Sequence, residues 1–196
     1  MIPNKAIIVY AESTPNPEAL KFVANRKLFE GSIEYPDRQS AVHSPFVSQL
    51  FEFNCVKSVF MASNFVTITK TPDTVWEDVV PILREFIKGY LSSDEVIVEE
   101  RASLASQTAP ALNLSQDENA KLEHQIKEIL EEYIRPAVEQ DGGAIDLKSF
   151  HNGVVTVTLK GSCSGCPSST ITLKAGIENL LKRMVPEVSE VVSEAM

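Results

Sequence analysis

Cysteine is scarce in this sequence: 196 residues hold three, at positions 55, 163 and 166. A four-thiolate metal site needs four, so no single motif of one chain can complete one. Long apolar runs are also missing, and none approaches the roughly 20 residues of a membrane span. Residues 1–10 have neither the charged and apolar regions of a signal peptide nor the basic amphipathic character of a transit peptide, which predicts a cytoplasmic protein in a reducing compartment. Basic charge is thin. Eighteen Lys and Arg stand against 27 Asp and Glu, a formal charge of −9, and no basic cluster is present. A nucleic-acid partner is thereby excluded, because such binding draws on clustered cations; the acidity reads as solubility. Only three histidines occur, His43, His124 and His151, and their spacing fits no ligand set with one another or with the cysteines.

What is present is concentrated in one stretch, Gly161-Ser162-Cys163-Ser164-Gly165-Cys166-Pro167-Ser168-Ser169. Two residues separate Cys163 from Cys166, a spacing that lets both sulfurs face one metal ion or close one disulfide. Small residues around them let the backbone wrap closely and aim N–H groups at thiolate or sulfide. Pro167 suits the first turn of a helix, which sets Cys166 at or beside the N-cap, where the helix dipole favours thiolate. The missing ligands must come from a second copy of the chain across a two-fold axis or from external thiols.

The rest of the chain reads as two domains: residues 1–98, a linker at 99–114 rich in Ala, Ser, Thr, Gln and Pro, and residues 115–196. In the first, strands are predicted over 5–11 and 19–23 around the turn Ser13-Thr14-Pro15-Asn16-Pro17, and a short helix follows Ser44-Pro45. A hairpin is predicted from 56–61 and 65–70. A helix then opens on the capping box Thr74/Glu77 with the stripe Trp76, Val79, Val80, Leu83 and Ile87, and 96–98 is read as an edge strand. In the second, the box Ser115/Glu118 opens a helix with the face Leu122, Ile126, Ile129, Leu130 and Tyr133, ended by Gly142-Gly143. Strands through Ile145 and Leu147 and through Val155, Val157 and Leu159 flank Asn152-Gly153. Then come the cysteine loop, a helix with Leu173, Ile177, Leu180, Leu181 and Met184, and a strand over 188–192. The predicted class is α+β, with the C-terminal domain ordered helix-strand-strand-helix-strand.

The run 134–192 resembles the C-terminal domain of NifU-like (Nfu) iron–sulfur cluster scaffold and carrier proteins. The resemblance rests on Ile134-Arg135-Pro136, Asp141-Gly142-Gly143, Gly153-Val154-Val155, the cysteine stretch with its flanks, Thr172-Leu173-Lys174, Gly176-Ile177-Glu178 and Pro186-Glu187-Val188. Thr14-Pro15-Asn16-Pro17, Ala19-Leu20-Lys21-Phe22, Ser44-Pro45 and Val56-Lys57-Ser58-Val59-Phe60 likewise resemble the N-terminal domain that accompanies this module. The resemblance implies a non-enzymatic protein whose Cys163 and Cys166 hold a 4Fe-4S cluster bridging two chains. It implies a homodimer when the cluster is bound, apo iron–sulfur proteins as recipients, and cluster-assembly machinery as partners. Ala144 and Cys55 depart from the family pattern without touching these ligands.

Two other chemistries fit a close cysteine pair. A thioredoxin-like dithiol carries an aromatic residue before its first cysteine, where this chain has Ser162, and zinc could also take four thiolates from two chains. Small polar neighbours set Cys163 and Cys166 apart from a buried structural pair. Cys55, between Phe53 and Val56, reads as a core thiol, Gly142 and Gly143 as a helix stop, Lys174 as a solvated side chain and Trp76 as core packing.

Overall fold

The first two strands are folded back on each other by side chains that imitate backbone. Between β1 (Val9–Ser13) and β2 (Ala19–Ala24) the Thr14 hydroxyl lies 2.9 Å from the carbonyls of both Asn16 and Ala19, and Asn16 Oδ1 accepts the N–H of Glu18 at 3.0 Å. The computed structural model describes residues 6–93, 95–99, 118–163 and 167–195. The chain divides into two compact units, Met1–Ala109 and Pro110–Met196.

In the first unit β3 (Ser32–Tyr35), β4 (Val56–Ala62) and β5 (Phe65–Lys70) complete a five-stranded antiparallel sheet in the order β1-β2-β5-β4-β3. A 3₁₀ turn (Gln39–His43), α1 (Pro45–Leu50) and α2 (Trp76–Ser92) supply Ala41, Phe46, Val47, Leu50, Leu83 and Ile87 to a core shared with Phe22, Met61, Val66 and Ile68. Ser44 caps α1 as its sequence suggested. One hydroxyl serves twice: it accepts the Val47 N–H at 3.3 Å and donates to the Ile97 carbonyl at 2.6 Å.

That second bond explains one correction. Residues 96–98 belong to no sheet, because the Ile97 carbonyl is held by Ser44 while Ile97 and Val98 pack on the core. The Thr74/Glu77 box does not form either. Val75 is the N-cap of α2, and the Thr74 hydroxyl sits 2.8 Å from that of Thr71 in the preceding turn. Residues 100–117, which hold most of the predicted linker and Ser115 of the second capping box, lie outside the described residues.

The second unit follows the predicted order. Helical chain runs through α3 (Glu118–Ile129), a wide π turn (Leu130–Ile134) and α4 (Arg135–Gln140). Then β6 (Gly143–His151) and β7 (Val154–Gly161) pair antiparallel, α5 (Pro167–Met184) crosses over, and β8 (Glu190–Ala195) pairs parallel to β7. Pro136 accounts for the wide turn. It has no N–H to give, and its ring would strike the carbonyl one turn back in a regular helix. The widened turn sends Ile134 toward the core and leaves Tyr133 half exposed, against the stripe read from the sequence. Along β7, Val155, Val157 and Leu159 are buried and their neighbours are not, which is the alternation the sequence carried. The fold is α+β in two domains, with the cysteine stretch on the β7–α5 crossover.

Candidate metal centre

β7 ends at Gly161, whose φ of +70° turns the chain sharply off the strand, and Ser162 and Cys163 follow at once. Ser162 pins this turn to the start of the neighbouring strand. Its N–H donates to the Gly142 carbonyl at 3.3 Å, and its hydroxyl donates to the Asp141 carbonyl at 2.5 Å. The same oxygen lies 3.8 Å from Cys163 Sγ, at the reach of a weak thiol hydrogen bond. α5 opens on Pro167, in agreement with the reading of that proline. Cys166 lies outside the described residues.

Cys163 is not surrounded by small polar groups alone. It is 4% exposed and belongs to the buried cluster that includes Ile145, Leu159 and Ile177. Gly143 makes this possible. A Cβ built there would stand 2.8 Å from Cys163 Sγ and 2.6 Å from the Lys160 carbonyl, so the sulfur occupies space that any other residue would fill. The sequence reading assigned Gly143 to stopping a helix. In fact Gly142 closes α4, its N–H on the Glu139 carbonyl at 3.1 Å, while Gly143 begins β6 opposite Gly161. The signal was the second glycine of the pair, since one suffices to stop a helix.

Around the ends of β6 and β7 the charges are paired. Lys160 meets Asp146 at 2.9 Å, and Arg135 bridges Glu131 at 2.6 Å and Asp146 at 3.4 Å. Lys174, on α5, lies 3.9 Å from Glu190 at the start of β8. Among the described residues no three of His, Cys, Asp and Glu gather as a metal site. Cys55 packs partly buried on the first core, as expected, and burial pushes its thiol pKa up. Trp76 packs on the same core, and its indole N–H donates to the Pro17 carbonyl at 3.0 Å. Among the described residues no helix is long and apolar enough to cross a membrane.

Residues 126–192 match the NifU-like domain family, and residues 9–94 match the family described as scaffold protein Nfu/NifU N terminal. NifU-like protein 4, mitochondrial, of Arabidopsis thaliana is 38% identical over 194 residues, covering 97% of this chain and 67% of that protein. NFU1 iron-sulfur cluster scaffold homolog, mitochondrial, of Homo sapiens is 36% identical over 191 residues, covering 96% and 72%. A solution NMR structure of a NifU-like protein from Saccharomyces cerevisiae is similar over 51% of this chain and 91% of its own, with a TM-score of 0.45 and 24% identity. The mitochondrial relatives overturn the cytoplasmic expectation, which rested on the composition of ten N-terminal residues and on nothing in the fold. Matched in order by both domain families and along nearly its whole length by these relatives, the chain belongs to the Nfu, or NifU-like, family.

Proposed function

We propose that this chain is an iron–sulfur cluster scaffold or carrier. Its cargo is a 4Fe-4S cluster held on the thiolates of Cys163 and Cys166 and shared with the same pair of a second copy. The reading is supported by the human relative, an iron–sulfur cluster scaffold homolog by name, and by the donor chemistry of the motif. Thiolates are the soft ligands that iron–sulfur clusters take, and two per chain make four in a homodimer. The observation that carries it is Cys163 at the end of β7, where Gly161 turns the chain and Gly143 leaves room for the sulfur.

The chain's own part is binding and release rather than bond-making in a substrate. Ser162 fixes the approach to Cys163 through the Asp141 and Gly142 carbonyls, so the first ligand has a defined start. A cluster shared between copies is open to exchange, because an incoming cysteine replaces one thiolate at a time or the copies part. The recipients are apo iron–sulfur proteins and the donors are cluster-assembly proteins. The first domain contributes to selecting them.

The test is anaerobic iron and sulfide content with solution mass, for the wild type and Cys163→Ala. About two irons and two sulfides per chain in a dimer, lost in the variant, is the expected result. Zinc in place of iron points to a structural site, and a metal-free monomer with a reversible disulfide to a dithiol oxidoreductase; either outcome sinks the proposal.

A further inference from the structure

We infer that Gly143 is a positioning residue that seats the Cys163 sulfur in the domain core, and that the sulfur must leave this seat to bind metal. The inference rests on the ligand role proposed for Cys163 and concerns what precedes it. A ligand shared with a second copy has to present its sulfur at the surface of its own domain. Cys163, 4% exposed and counted among the core residues with Ile145, Leu159 and Ile177, does not.

The seat is built from both sides. On the β6 side Gly143 has no side chain, and the sulfur lies within 2.8 Å of where a Cβ would be. Any substituent there also meets the Lys160 carbonyl at 2.6 Å, a backbone atom that cannot turn aside. On the loop side Ser162 holds the preceding peptide, with bonds to Asp141 and Gly142 and its oxygen 3.8 Å from the sulfur. The thiol therefore rests against Gly143 while the peptide before it is tied to residues 141 and 142, and moving it outward requires a local opening. Such openings cost less than global unfolding and are read by the reactivity of the buried group. The seat shields the metal-free thiol from oxidants and places a conformational step before metal binding.

The test is alkylation of the metal-free, reduced full-length chain by iodoacetamide, in which the thiolate displaces iodide and a carbon–sulfur bond forms. Tandem mass spectrometry assigns the label to Cys55, Cys163 or Cys166. Cys163 in the native chain is expected to react slower than in the urea-unfolded chain at the same pH by on the order of tenfold or more, with the rate rising in urea below the unfolding transition. In Gly143→Ala, checked by circular dichroism, the Cys163 rate rises toward that of the unfolded chain. Should that variant fail to fold, Ser162→Ala removes the loop-side clamp and is expected to raise the Cys163 rate while leaving Cys55 unchanged. Reaction of native Cys163 at the unfolded-chain rate overturns the seat, as does a folded Gly143→Ala with the wild-type rate. Metal content separates the two readings: a protected Cys163 in a chain that takes up no iron overturns the cluster proposal and leaves the seat standing.

Discussion

Glu178, in the middle of α5, accepts the backbone N–H of Val191 on β8 at 3.1 Å while its other oxygen pairs with Lys182 at 2.6 Å. One carboxylate thus ties the crossover helix to the strand it leads to.

This carboxylate gives stability a pH signature. The Lys182 ammonium first, and the Val191 N–H second, hold the Glu178 pKa below the usual 4.5. The folded state therefore favours the ionised form. Its contribution is full above the ordinary carboxylate range and is lost as pH falls through the lowered value. Thermal unfolding of the wild type and Glu178→Gln should differ at pH 7 and converge as pH falls through the lowered value. A gap that stays constant down to acid would show that the bond acts through shape and not through charge.

The hairpin Asn152-Gly153 is a second sensitive point. Gly153 has φ of +80°, and a Cβ there would stand 2.9 Å from the Glu187 carbonyl and 2.8 Å from Ser189 Oγ. Gly153→Ala combines left-handed strain of roughly 1–2 kcal/mol with this overlap. Urea unfolding followed by far-ultraviolet dichroism should show a loss of about 2 kcal/mol or more with an unchanged slope.

In the first unit the aromatic cluster on the helices is the weak spot for truncation. Phe46 is fully buried, with Tyr90 at a centroid distance of 5.0 Å and Phe86 stacked at 6.3 Å. Phe46→Ala should cost roughly 3–5 kcal/mol, whereas Phe46→Leu should cost less because more of the volume stays filled. Calorimetric melting of both variants checks the order.

Cys55 offers a control for the thiol chemistry. Burial raises its pKa, so its alkylation should climb with pH at values above those of a free thiol. Cys55→Ser is expected to leave iron and sulfide per chain unchanged. Loss of iron in that variant would make it a ligand and overturn its assignment to the core.

Much of this architecture is legible in the sequence, for reasons visible in particular residues. Val155, Val157 and Leu159 alternate because one face of β7 is buried, and Asn152-Gly153 can hardly be anything but a tight turn, so the hairpin followed, whereas the register shift between Leu147 and Ser149 has no local mark. The Ser44-Pro45 helix start was equally plain. Other features depend on partners distant in the chain. Residues 96–98 have strand composition, yet Ser44, more than 50 positions earlier, holds the Ile97 carbonyl. Tyr133 sits at a helical spacing that only Pro136 disturbs. At the candidate centre the sequence marked the two cysteines by their spacing, but the closeness of Gly143 to Cys163 arises from the pairing of β6 with β7 across 20 residues, which no local pattern encodes.

The mixed sheet of the second unit also sets a timetable for folding. The β6–β7 hairpin is local and closes within microseconds, while the parallel pairing of β8 waits for α5 to dock and is slower. Cys163 falls between the early and the late event. Gly143 and Gly161 are brought together by the hairpin, but Ile177 and Val191, which share the core with the sulfur, arrive only with the crossover. A newly made chain thus passes through an interval in which the thiol is reachable by oxidants or stray metal ions, and the speed of crossover docking decides how long that interval lasts.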